Sequence, residues 1–437
     1  MEAAGFNVTL QPFEADIFFE QAPAVFEQTA PNPTTYTRYN GQQGVWYTAD
    51  FSGDGDVTAK AVVVDFTEPT TQASASDSGC EASDYEGIDV TGKIVLLQRG
   101  TCDFGLKAEI AGKAGAAAAV IFNEGTIGAA DRNDVLIPTL AGYNVTIPVV
   151  GTDYATGRAL VDLAAAGTVT LRVKVDGFIN ENVQTNNVIA ETSGGRADRT
   201  VVVGGHQDSV YEGPGINDDG SGVSTMLETA EQMKALKITP HNKVRFIFFS
   251  GEEQGLLGSD YYVSQLTKKQ IQDISVMLDF DMLASPNYGR FIYDGNGDEH
   301  GFAGPNGSGT IERVFKDFGT SQGLAHETIP FDGRSDYDAF TTAGIPAGGI
   351  FAGAEVAKTA AQVRLYGGTA GVAFDKCYHQ LCDDLTNINN KGLDEHSDAA
   401  VHAILTFAQT ESAVSGTDSG STTSTKPKEF KGHHRVR

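Results

Sequence analysis

The sequence predicts an α/β fold: a mostly parallel, mixed sheet covered by helices on both faces, with a second, β-rich module inserted ahead of it. Two observations carry this. From Thr185 to about Thr410, short apolar β-branched runs alternate with stretches of helical periodicity, the pattern of a parallel sheet with crossover helices. From about Gly41 to Phe178 the chain is instead rich in Val, Ala, Gly and Thr, with short strand-like runs. A length of 437 residues leaves room for two to three domains, and 40% hydrophobic content is that of a globular protein with sizeable cores. The expected division is 1–40 as the first part of the α/β domain, 41–182 as the inserted module, 183–411 as the rest of the α/β domain, and 412–437 as a disordered tail.

In the module, Ala61–Phe66, Lys93–Gln98, Ala117–Phe122 and Ile147–Val150 read as strands. Phe104 to Lys113 carries Leu106, Ile110 and Ala111 at helical spacing. No histidine or carboxylate cluster converges there, so a packing or substrate-guarding role is expected. In the α/β region, strand Thr200–Val203 precedes a helix from about Ser221, with Val223, Met226, Leu227, Ala230 and Met233 as its apolar stripe. Strand Val244–Phe249, a helix after Glu253, strand Val276–Phe280 and a last helix near Glu395–Thr410 follow. Beyond Glu411 the chain is rich in Ser, Thr and Gly and ends in Lys426–Arg437; this composition predicts disorder, with His433 and His434 on a solvated tail.

A formal charge of −26 argues against a nucleic-acid or anionic-membrane surface, since binding phosphates needs clustered Lys and Arg. No apolar run is long enough to span a bilayer. The residues from Met1 to Phe6 carry neither a basic segment nor an apolar stretch of signal-peptide type, so a targeting segment is expected to be absent or already removed. The four cysteines fall into two local couples, Cys80 with Cys102 and Cys377 with Cys382, without zinc-binding spacing. Two short-loop disulfides, and hence an exported protein, are expected.

The chemistry concentrates where strands end. Gly204-Gly205-His206-Gln207-Asp208-Ser209 and then Gly215-Ile216-Asn217-Asp218-Asp219-Gly220 leave the strand at Thr200–Val203, on the rim where open α/β sheets bind ligands. Strand Val244–Phe249 ends in Ser250-Gly251-Glu252-Glu253, and strand Val276–Phe280 in Asp279-Phe280-Asp281-Met282. Alternation sends Phe280 to the side opposite both aspartates. A second histidine, His379, lies between Cys377 and Cys382. Nitrogen and carboxylate donors without thiolate suit Zn²⁺ or a related divalent ion in an open catalytic site. Two histidines with at least three carboxylates suffice for two metals, with Asp218 as the bridge.

In this order, His206-x-Asp208, Asn217-Asp218-Asp219-Gly220, Glu252-Glu253-x-Gly255-Leu256-x-Gly258-Ser259, Phe280-Asp281-Met282 and Tyr378-His379 resemble the M28 family of secreted di-zinc aminopeptidases, in particular the actinobacterial and vacuolar-type leucine aminopeptidases. The run Gly92-Lys93-Ile94-Val95-Leu96-Leu97, with Arg99-Gly100-Thr101-Cys102 and Lys113-Ala114-Gly115-Ala116, resembles the protease-associated domain inserted in many of them. The resemblance implies a zinc-exopeptidase fold of phosphorylase/hydrolase-like type. It implies that His206 and Asp281 bind one zinc, Glu253 and His379 the other, and that Asp218 bridges them through a cis peptide to Asp219. Asp219 itself is not a ligand. Glu252 becomes the general base for a two-zinc-bound hydroxide, Tyr378 hydrogen-bonds the developing oxyanion, and Asp208 orients the His206 imidazole.

Gly333-Arg334-Ser335-Asp336 and Gly348-Gly349-Ile350-Phe351 resemble segments lining the family's substrate cleft, with Met282 and Phe351 forming an apolar pocket and Arg334 beside it. Asp279 stands where relatives often carry Asn. Relatives also begin with a helix, ahead of a strand corresponding to Phe6–Leu10, where this chain has only Met1 to Gly5, so the calcium site that some of them build from the N-terminus is not assignable here. The expected protein is a secreted, monomeric metallo-aminopeptidase that takes peptides with a free N-terminus and prefers large apolar first residues. The alternatives are a single-zinc, glutaminyl cyclase-like enzyme and an inactive receptor-like homologue.

Overall fold

A computed structural model describes residues 1–39, 43–72, 75–128 and 132–414. They form two compact units: Met1–Ala15 with the described residues from Gln184 onward, and the described residues of Asp16–Val183. Residues 16–39, read above with the α/β domain, thus pack within the second unit. The tail beyond Val414 lies outside the described residues. Among the described residues, no helix is long and apolar enough to cross a membrane.

The first unit is built on strands β9 (Arg196–His206), β10 (Asn242–Phe249) and β11 (Ile274–Phe280). Both β10 and β11 pair parallel with β9, which is therefore central, and Val201, Val202 and Val203 are fully buried there. On the far side of β11 come β14 (Ala347–Phe351), β12 (Phe291–Tyr293) and β13 (Glu327–Ile329), and beyond β10 comes the end of β8 (Thr170–Glu191). The sheet is mixed: β14 runs parallel to β11, whereas β12 is antiparallel to β14 and β8 to β10.

Helices cover both faces. On one, α3 (Gly220–Ala235), α6 (Ser308–Gln322) and α9 (Asn390–Gln409) bury Met226, Ala230, Ile311, Phe315, Ile404 and Phe407. On the other, α4 (Leu257–Ser264) and α7 (Tyr337–Thr342) bury Tyr262, Tyr337 and Phe340 against Val202, Ile247 and Met277.

Leu227 is 39% exposed and leaves the α3 stripe, because the next residue on a helix points about 100° away from Met226. The strand read as Thr200–Val203 continues through Gly204 and Gly205 to His206. Those glycines are needed there. A Cβ on Gly205 would lie 2.7 Å from Asp219 Oδ2 and 2.9 Å from the Phe280 carbonyl, so only glycine lets neighbouring segments close on the strand end.

In the second unit β4 (Gly55–Val63), β5 (Ile94–Gln98), β6 (Ala118–Phe122) and β7 (Val149–Thr152) pair parallel in that order. The strand β3 (Trp46–Thr48) pairs antiparallel with β7. The helix read at Phe104–Lys113 is α1, and a second, α2 (Tyr154–Ala165), was not anticipated. Of the long strand β1 (Asn7–Ala30) only the start, a strand at Phe6–Leu10 by the resemblance, was read, and β8 was missed, because their many polar, half-buried residues give little apolar signal. The expected disulfides Cys80–Cys102 and Cys377–Cys382 are both formed.

Candidate metal centre and active site

Strand register assembles the site. Phe249 of β10 pairs with His206, so Ser250 to Glu253 leave the sheet at the level of that imidazole. Asp279 of β11 pairs with Gly204, which brings Asp281, two residues on, to the same rim. The helix expected after Glu253 starts only at Leu257. Gly251, Gly255 and Leu256 all have positive φ, and the turn they make holds Glu252 and Glu253 at the sheet end.

Asp218 stands between two histidines. Its Oδ1 is 3.1 Å from His206 Nε2 and its Oδ2 is 3.2 Å from His379 Nε2. Glu253 Oε2 is 3.0 Å from His379 Nε2, and Asp281 Oδ1 is 3.6 Å from His206 Nε2. The Asp218–Asp219 peptide is cis, as the resemblance implies. Asp219 lies close to His206 and Asp281, but its carboxylate is engaged by the main chain: it accepts hydrogen bonds from the backbone N–H groups of His206, Gly222 and Met282, capping α3 and tying three segments together.

His206 Nδ1 lies 3.1 Å from the carbonyl of Asp208 and 3.8 Å from that residue's carboxylate. The main chain of Asp208 is thus the nearer partner of the imidazole. Its carboxylate accepts from the backbone N–H groups of Glu252 and Glu253, both at 3.2 Å. One residue therefore fixes the imidazole and the paired glutamates together.

The donor set fits divalent zinc. A carbonyl oxygen only accepts, so His206 Nδ1 carries the proton and Nε2 presents its lone pair to the Asp218 and Asp281 oxygens. Asp281 Oδ1 is buried without a hydrogen-bond partner, its other oxygen being taken by Ser335 Oγ at 2.8 Å. Lone pairs converging in a buried site call for a cation between them. Burial opposes a charged His379, but Glu253 and Asp218 outweigh it and raise its pKa to about 9. Burial, with Glu253, Asp281 and Asp336 nearby, pushes the Glu252 carboxyl well above its ordinary range.

A cavity of about 270 Å³ opens beside this cluster, lined by Asp218, Glu252, Glu253 and Asp281 on one side. Met282, Phe291, Tyr293, Ile329, Phe351 and Phe374 make its apolar wall, and Arg334, Glu355 and Tyr378 also border it. Arg334 pairs with Glu355 at 3.1 Å and donates to Tyr378 Oη at 3.2 Å. The sequence-derived residues Met282, Phe351, Arg334 and Tyr378 thus meet at one cavity. Phe291 and Phe374 were missed, because nothing in their neighbourhoods distinguishes them from core.

Also missed was the network behind Asp218. The Asp383 carboxylate accepts from the backbone N–H groups of Asn217 (3.0 Å) and Asp218 (3.1 Å), and Asp375 accepts from Asn217 Nδ2 at 2.7 Å. Asn387 donates to both aspartates. These contacts bind the His379 loop to the Asp218 loop. The signal was present: Asp375 and Asp383 flank the short Cys377–Cys382 loop.

The model of peptidase family M28 matches residues 187–404, which contain all five metal-ligand candidates. An aminopeptidase of Pseudomonas aeruginosa strain UCBPP-PA14 is 42% identical over 400 residues, covering 91% of this chain and 72% of its own. The chain belongs to peptidase family M28. The PA-domain model matches residues 57–160 of this M28 peptidase, within its second unit. A probable leucine aminopeptidase 2 of Aspergillus fumigatus is 44% identical over 348 residues, covering 78% of this chain and 67% of its own. Among solved structures, the aminopeptidase from Aneurinibacillus sp. strain AM-1 superposes with a TM-score of 0.68 at 26% identity, covering 94% of this chain and 87% of its own. A zinc aminopeptidase from Bacillus subtilis shares the fold, with a TM-score of 0.58 at 23% identity over 95% of this chain and 88% of its own.

Proposed function

We propose that this M28 peptidase is an exported, zinc-dependent aminopeptidase that holds two zinc ions and releases apolar residues from the N-terminus of peptides. The observation that carries this is Asp218, whose two oxygens each face a different histidine, so that one carboxylate joins two ligand groups. His206 and Asp281 would hold one ion, and Glu253 and His379 the other. When bound, zinc supplies Lewis-acid polarisation of a carbonyl and makes water acidic enough to lose a proton near neutral pH.

The chain's own residues supply the rest. Glu252 lines the cavity without belonging to either histidine pair, so its carboxylate takes the proton from the attacking water and returns it to the leaving amine. Arg334 only donates, so Tyr378 Oη acts as acceptor towards it and keeps its own O–H for the carbonyl oxygen of the substrate. The phenylalanines and Met282 exclude water and favour an apolar first side chain. Two disulfides suit an oxidising compartment, which supports export.

The test is zinc per chain together with cleavage of leucine p-nitroanilide. Two zincs and hydrolysis are expected; one zinc without anilide hydrolysis overturns the reading in favour of a single-zinc cyclase-like enzyme.

A further inference from the structure

A buried cation packs against the apolar wall of the cavity. Lys358 is 1% exposed. Burial, with Arg290 nearby, lowers its pKa to about 8, so it stays charged at neutral pH. Among the described residues no carboxylate forms an ion pair with it. A buried ammonium is costly unless polar groups receive it, and a methionine would fill the same space without that cost.

Its surroundings show what receives it. The Lys358 Nζ donates to the carbonyls of Tyr288 and Gly367, both at 2.8 Å. Three aromatic rings lie around it, with centroids at 5.4 Å for Phe374, 5.7 Å for Tyr366 and 5.9 Å for Tyr288. A cation within about 6 Å of a ring centroid is attracted to the ring's negative face, and more strongly out of water. Gly368 has a positive φ, and a Cβ there would lie 2.9 Å from Nζ, so the turn closes over the ammonium only with glycine.

One of these rings belongs to the cavity. Phe374 lines it, as do Gly353 to Val356 and Phe291, whose ring meets Phe374 edge to face at 5.1 Å. The main chain of Lys358 joins the two lining segments: its N–H donates to the Val372 carbonyl and its carbonyl accepts from Gly371, both at 2.8 Å. Phe374 N–H donates to the Val356 carbonyl at 3.0 Å, and Asp375 N–H to that of Ala354 at 2.7 Å. These bonds set the course of the backbone. A phenylalanine ring still turns about its own side-chain bonds, so its position depends on what packs against it.

We propose that Lys358 is a positioning residue for substrate selection: from outside the cavity it holds the Phe374 ring, and with it the wall that receives a large apolar first residue. This rests on the aminopeptidase reading. Lys358 does not line the cavity and lies on neither histidine loop, so its loss acts on binding of the first side chain and not on the chemistry at the metal ligands.

The test measures kcat and KM for leucine and alanine p-nitroanilides on the zinc-loaded enzyme, the alanine methyl burying far less against the wall. The parent is expected to prefer leucine in kcat/KM by roughly a hundredfold, the scale of a few buried carbon atoms. Lys358→Met keeps an unbranched side chain and removes the charge. It should raise KM for the leucine substrate by about tenfold, the scale of a desolvated cation–π contact, with kcat on both substrates, KM for alanine and zinc content each within about twofold of the parent. Lys358→Gln keeps N–H donors for the two carbonyls without the charge, and decides by the same readout if the methionine variant does not fold. An equal loss on both substrates, or a loss of zinc, would make Lys358 a group of general structural importance and overturn the proposal. So would an unchanged preference for leucine. If the parent hydrolyses neither anilide, the aminopeptidase reading itself fails, a result distinguishable from the others.

Discussion

Glu252 and Glu253 are adjacent in sequence and both line the cavity, yet only Glu253 also faces His379, in a turn whose Gly251, Gly255 and Leu256 are left-handed. Asp208 receives both of their backbone N–H groups, so the carboxylates are placed by the main chain rather than by each other. Removing the charge of Glu252 should therefore leave the ligand set intact. Glu252→Gln is expected to retain zinc, by metal analysis, and to lose at least about a thousandfold in kcat, near the upper end of general-base contributions. Undiminished turnover would remove Glu252 from the proton-transfer role.

At the scale of elements, α9 holds a group whose ionisation opposes folding. His396 is buried to 3% exposure, its Nδ1 donates to the Gly392 carbonyl at 2.7 Å, and its Nε2 has no partner. Burial, with Arg290 nearby, lowers its pKa to about 4. The unfolded chain, with an ordinary histidine near 6.5, then binds more protons than the folded one, so stability from this group is full above that value and is lost as pH falls towards 4. Between pH 7 and 5 the loss is about 2 kcal/mol. Urea unfolding of the parent and of His396→Leu at both values should show a smaller acid loss in the variant by that amount; identical losses would mean that His396 is not held neutral.

At the scale of the molecule, the first unit buries carboxyl groups far in excess of cations around one rim. Asp218, Asp219, Glu253, Asp279 and Asp336 are each no more than 5% exposed, with Arg334 as a nearby permanent cation and His379 raised to a pKa of about 9. Burying such charge is costly unless it is neutralised, so a divalent ion should stabilise the fold as well as serve catalysis. Stripping zinc with a chelator is expected to abolish hydrolysis and lower the Tm by about 5 °C or more, with both restored on reloading. A Tm indifferent to zinc would show that the cluster is held by protons alone.

Much of the site was legible in the sequence because its parts sit at strand ends. His206, Glu252 with Glu253, and Asp281 each follow a short apolar run, and alternation along one strand already separated Phe280 from its aspartates. His379 was legible from its short cysteine loop and from the order of the motifs. Most of the long strand β1 and all of β8 were not, because half-buried polar strands give little apolar signal.

Sequence by itself determined the donor types, the rim they occupy and the family order of the motifs, since these depend on local periodicity and residue chemistry. Only the tertiary structure decided which oxygen faces which nitrogen, that the main chain of Asp208 lies nearest the imidazole while its carboxylate holds the glutamates, and that Asp383 locks two distant loops together. Those choices depend on parallel register and on hydrogen bonds between segments more than a hundred residues apart, which no local pattern encodes.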